Sequence, residues 1–222
     1  MSARARPRRA RAVAAVGVTG TALLGASLAA PPASNRFYGL TFATAATFTL
    51  GGLATTPPTS GPRDRSVLAP AATGVAAFGV FYGCALVARR IPVLRNAITK
   101  LMRYADRGRT PAVLLTALAN GAAEEVFFRG AVYQAAPRWP VAVSTGAYIL
   151  NTTATRNPAL VLAAAVMGTL FGVQRRYTGG IQASLIAHLT WSTLMLHFMP
   201  PLFLGGGPAR PLPNIGTRPA RA

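Results

Sequence analysis

Acidic residues are what this chain most lacks. It has 4 Asp+Glu against 23 Lys+Arg, a formal net charge of +19, and only 12% of its residues are charged. Soluble domains carry about 25% charged residues, so so basic a chain with half that fraction is not an ordinary soluble enzyme. A single cysteine, Cys84, excludes an internal disulfide and any cysteine-based metal cluster within the chain. Two histidines, His188 and His197, exclude a three-histidine zinc site. What is abundant is apolar: 51% of the residues are hydrophobic and the mean hydropathy is +0.36. Long uncharged runs with arginines between them predict an all-α fold, a polytopic transmembrane helical bundle of about six to seven spans in the cell membrane.

The charge raises the question of nucleic acid, but its distribution answers against it. Arg4, Arg6, Arg8, Arg9 and Arg11 precede the first apolar run, and seven basic residues lie between Arg89 and Arg109. The others are scattered at segment ends, as in loops facing cytoplasm and anionic lipid. The partner expected from this distribution is therefore membrane lipid, with no nucleic acid.

Four regions follow from the pattern: a basic tail at 1–12, membrane helices with a surface helix at 13–110, a helical core at 111–204 and a disordered Gly/Pro-rich tail at 205–222. Val13 to Ala30 can cross a bilayer, but its arginine-rich start and small-residue end fit a secretory signal peptide as well. Phe37 to Ala54 and Ser66 to Ala88 are the next runs. IPVLRNAITKLMRYADRGRT mixes apolar and basic residues at helical spacing and reads as an amphipathic helix on the membrane surface. Pro111 to Ala136, Val141 to Thr155, Pro158 to Val173 and Ile181 to Leu204 complete the set, the middle two joined by RNP as a tight hairpin. The basic Arg89–Arg109 segment and the basic N-terminus both read as cytoplasmic, yet three spans would separate them. Either one of the first three runs is cleaved, re-entrant or misread, or the charge rule fails here.

The chemistry is expected where the scarce acids sit. Both glutamates are adjacent inside an apolar segment, NGAAEEVFFRGAVYQ. A charge at mid-membrane costs about 2.5–3.5 kcal/mol on insertion scales, so the pair is no surface ornament unless it lies at a helix end that reaches water. Neighbours on a helix point about 100° apart, which gives the two carboxylates separate tasks. Glu125 and Arg129, four apart, can form an ion pair that offsets the burial of both. Glu124 is left without a local cation, with Asn120 one turn before it, and suits a general base that activates water. His188 lies in a second apolar helix, IQASLIAHLTWSTLMLHF, with Ser192 on its face. A lone histidine there could equally bond a backbone carbonyl. His197, nearly half a turn round, falls at the membrane edge before Pro200 and Pro201.

AEEVFFRG in a membrane helix resembles the EExxxR motif of the CPBP (Abi, type II CAAX prenyl endopeptidase) family of intramembrane proteases, and GGIQASLIAHLTWS resembles that family's final histidine motif. The resemblance covers roughly Pro111 to Phe198. It implies an endopeptidase with a peptide or membrane-protein substrate, in which Glu124 activates water, Glu125 and Arg129 support it, and His188 stands near the scissile carbonyl, with Thr152 and Ser192 facing that substrate. Family members usually carry a histidine in an FxxxH pattern. Here GAYILNTTAT places Tyr148 at the aromatic and Thr152 at the histidine, with Asn151 beside it, and Ser192 replaces the Asn or Asp of the last motif. Glu124, Glu125 and His188 would make a poor zinc site, so the cofactor is left open between a divalent metal such as zinc and none. Two other functions fit the same residues. One is a catalytically impaired relative that binds a membrane partner as an immunity, scaffold or maturation factor. The other is a small transporter with a Glu/His relay, against which stands the lack of an internal repeat.

Overall fold

The computed structural model describes residues 5–56, 66–107 and 110–204; the expected 205–222 tail and the start of the basic N-terminus lie outside the described residues. Helices α1 (Ala5–Ala29), α2 (Asn35–Thr55), α3 (Leu68–Ala88) and α4 (Pro92–Arg107) form the first half. Helix α5 runs over Thr110–Glu124, passes into a π-helical stretch at Glu125–Val132 and ends in the turn Tyr133–Ala135. Helices α6 (Pro140–Thr153), α7 (Pro158–Thr178) and α8 (Gln182–Leu204) follow. No strand occurs among the described residues, and the all-α bundle is as expected.

Local sequence explains the boundaries. Ser34 accepts the backbone N–H of Phe37 at 3.1 Å and so caps α2. Asn157 caps α7 by accepting from the N–H groups of Ala159 and Leu160, with Pro158 at the first helical position, where no N–H is needed. The same Asn157 donates to the carbonyl of Ala97 in α4 at 2.9 Å, tying the α6–α7 turn to that helix.

Among the described residues, four helical stretches are long and apolar enough to cross a membrane: Pro7–Ala29, Asn35–Thr55, Leu68–Ala88 and Pro158–Thr178. The protein is thus a membrane protein, but six to seven spans are not reached by this measure. Helix α6 has 14 residues, about 21 Å at 1.5 Å per residue against a hydrocarbon core of about 30 Å. The regular part of α5 has 15 residues. In α8 two histidines and several hydroxyl residues dilute the apolar run.

The sequence left open whether the first apolar run is a leader, and it packs as a bundle helix. Arg9 Nε donates to the Thr55 carbonyl at 2.7 Å at one end of the α1–α2 pair. At the other end the Tyr104 hydroxyl of α4 reaches the carbonyls of Leu28 and Ala30, both at 2.8 Å. Between these ends Gly20 lets α2 close in, since a methyl group there would overlap the Phe48 ring. Helices α1 and α2 are therefore antiparallel, and Arg9 lies at the opposite end of the bundle from α4. The two basic segments therefore lie at opposite ends of the bundle. The apolar face of α4 also departs from expectation. Met102 packs with Ala85 of α3 and Met199 of α8, and Tyr104 with Phe37, so that face meets protein and leaves the basic face outward.

Helix α5 occupies the centre. Phe127 and Phe128 are both 1% exposed; Phe48 stacks on the first at 4.9 Å and meets the second edge-on at 5.5 Å. Every residue from Phe127 to Val132 is buried, so the stretch has no outward face. This is the segment that carries the acids.

Candidate active site

Glu124 closes the regular part of α5 and Glu125 opens its π-helical stretch. Widened turns of this kind occur mostly at functional sites. The two carboxylates face different partners, as their helical offset required. Glu124 Oε1 accepts from Asn120 Nδ2 at 3.2 Å, and Glu124 Oε2 accepts from the Tyr148 hydroxyl of α6 at 2.8 Å. A carboxylate has about four lone-pair sites, so these two donors leave room for a water proton.

Glu125 Oε1 accepts from Arg129 Nη1 and faces His188 Nδ1, each at 3.0 Å, with Glu125 and Arg129 wholly buried. An ionised carboxylate only accepts, so Nδ1 carries the proton and Nε2 is the working nitrogen of the imidazole. Nε2 faces Gly121 of α5, where a Cβ would come within 3.3 Å. A side chain at that position would crowd the nitrogen, and glycine keeps it clear. The His188 ring stacks on Phe171 of α7 at 4.8 Å.

Arg129 is held from several directions. Nη2 donates to the Gly168 carbonyl at 3.2 Å, and the guanidinium lies over the rings of Tyr148 (4.7 Å) and Phe171 (5.2 Å). Arg175 Nε in turn donates to the Arg129 carbonyl at 3.1 Å. Partners from three helices thus engage Glu125 Oε1 and the Arg129 Nη atoms, while Glu125 Oε2 and Arg129 Nε are buried without a hydrogen-bond partner among the described residues.

Glu124, Glu125, Arg129 and His188 thus come together, though the histidine stands on Glu125 and not on Glu124. Thr152 and Ser192 do not join them. The Thr152 hydroxyl donates to the Tyr148 carbonyl of its own helix at 2.8 Å. Asn151 accepts from Thr21 of α1 at 2.8 Å. Ser192 is part-exposed and makes no hydrogen bond among the described residues. His197 is exposed against Phe198, away from His188. Sequence reasoning missed the Tyr148 hydroxyl, having read that residue as an aromatic alone; a lone phenol in an apolar helix was the available signal. No group of three or more His, Cys, Asp or Glu among the described residues could hold a metal ion, and Arg129 already engages one oxygen of Glu125. The donor set therefore does not fit a zinc ion.

Residues 107–194 match the family model of the type II CAAX prenyl endopeptidases, described as Rce1-like. No curated protein and no solved structure matches the chain.

Proposed function

Starting from a membrane protein with an Rce1-like domain over residues 107–194, of a protease family, we propose that it is a multi-pass intramembrane endopeptidase that hydrolyses a peptide bond with a water activated by Glu124. The observation that carries this reading is the Tyr148 bond to Glu124, which aims a buried carboxylate with a free lone pair beside an imidazole whose Nε2 is open. Glu124 takes a proton from water as the oxygen adds to the scissile carbonyl. As an imidazolium balanced by Glu125, with a proton on both ring nitrogens, His188 donates from Nε2 to the oxyanion. The proton on Glu124 then passes to the leaving amine as the C–N bond breaks, giving a carboxylic acid and an amine, and the acid loses its proton to solvent or to the amine. Tyr148 is a positioning residue that fixes the rotamer of Glu124. The substrate is a membrane-associated peptide or protein.

The purified protein in detergent or liposomes, incubated with membrane peptides, should release two fragments, while Glu124→Gln should be silent and melt within a few degrees of wild type. Cleavage surviving Glu124→Gln would end the mechanism. A second reading, a binding, immunity or maturation factor without turnover, is favoured by one observation. Neither Thr152 nor Asn151 offers a proton-transfer group to the site. It predicts a wild-type protein that is silent on every peptide but is retained by a membrane partner.

A further inference from the structure

A groove runs down the outside of the α6–α7 hairpin, away from the glutamates. Its upper part is lined by Arg138, Trp139, Pro140, Val141, Thr145 and Arg176, among others. Next to it, sharing Thr169, lies a shallow and mostly apolar patch along Val166, Leu170 and Val173. Positions 166, 169, 173 and 176 recur at helical spacing, so the apolar stripe and Arg176 belong to one face of α7. From Arg176 to Val166 is about 15 Å along the helix.

The chemistry changes along that length. At the top, Arg138 and Arg176 are both exposed, and no acidic residue lies in the groove. Trp139 is 69% exposed beside them; exposed tryptophan with arginine is the composition of a membrane–water interface. The Thr145 hydroxyl, buried and lining the same groove, has no hydrogen-bond partner. A buried hydroxyl without a partner costs free energy unless something fills its site. Below, Val166 and Val173 are exposed, and the Thr169 hydroxyl is turned back onto the Ala165 carbonyl, so its methyl faces out.

We propose that this groove is a binding site for an anionic phospholipid, with the phosphate between Arg138 and Arg176 and one acyl chain along the α7 stripe. Two guanidiniums match a phosphate's geometry, and the apolar lower part matches a chain and not a free ion. The site is independent of the protease reading.

Native mass spectrometry of the full-length, detergent-purified protein, titrated with phosphatidylglycerol or phosphatidylcholine, tests it. Phosphatidylglycerol should remain bound where phosphatidylcholine is lost, and Arg138→Gln with Arg176→Gln should weaken it about thirtyfold. Arg89→Gln with Arg90→Gln, at the other end of the bundle, should leave it within about threefold. Val173→Asn should weaken the phosphatidylglycerol adduct while the response to inorganic phosphate stays nil. Equal retention of the two lipids, or equal losses in the two arginine pairs, would overturn the site and leave only diffuse attraction to a basic protein. Stabilisation by inorganic phosphate as strong as by the lipid would overturn the acyl-chain part. Both arginines are exposed, so the variants should fold; a changed melting profile in lipid-free detergent would be read before any lipid titration, and Arg138→Lys with Arg176→Lys would then serve in their place, expected to retain most of the affinity.

Discussion

Tyr148 and Thr152 sit one turn apart on α6, and their hydroxyls do different things. The phenol reaches Glu124 at 2.8 Å, while the threonine bonds its own helix. Tyr148→Phe is expected to reduce kcat about tenfold or more with little change in KM, because only the hydrogen bond that fixes the base is lost. Thr152→Val should leave both within about threefold. Steady-state kinetics of the two variants checks this, and the reverse ranking would remove Tyr148 from the mechanism. The Glu125–Arg129 pair calls for a different measurement. Arg129→Ala leaves a buried carboxylate without its cation and should cost about 3–5 kcal/mol, read as a large fall in melting temperature. Glu125→Gln with Arg129→Gln should recover part of that loss; a double variant as poor as the sum of the singles would mean the residues are not partners. The acids, the arginine and His188 were legible in the sequence because charges are rare in apolar helices. The link between His188 and Glu125 was not, since the two are 63 residues apart and spacing says nothing about which carboxylate a distant ring meets.

Helices differ in how far their sequences declared them. Helix α4 was plain from its periodicity, but a periodic apolar face does not say whether lipid or protein covers it. The π-helical turn at Glu125–Val132 left no trace, because an i→i+5 bond needs no particular residue and only the surrounding burial favours it. Helix α1 was ambiguous because a short apolar run rich in small residues suits a leader and a closely packed helix equally. The packing makes a specific expectation. Gly20→Leu drives a side chain into Phe48, which itself stacks on Phe127 of the central helix. It should lower the melting temperature sharply and depress cleavage, whereas Leu at Gly39, which has open space around it, should do neither. Equal tolerance at the two positions would show that α1 is not part of the folded bundle.

Across the whole molecule, both ends carry basic residues and the centre carries the two glutamates. Arg8 and Asp106 lie at opposite ends of the bundle by the contacts of Arg9 and Tyr104. In a Cys84→Ser background, single cysteines at these two positions are expected to react with an impermeant reagent from opposite sides of the membrane. Labelling of both from one side would contradict the antiparallel α1–α2 arrangement. If the basic α4 end is cytoplasmic, Arg8→Cys is the one modified in intact cells.

The four-residue spacing of Glu125 and Arg129 also bears on how the chain is made. Translation delivers the two charges within a fraction of a second of each other, at roughly 5–20 residues per second. His188 follows 63 residues after Glu125, about 3–13 s later at that pace. During this interval Glu125 has no histidine of α8 to meet. Arginine one turn away is the companion already present, so the pair that later braces the site is complete before the rest of the site is made.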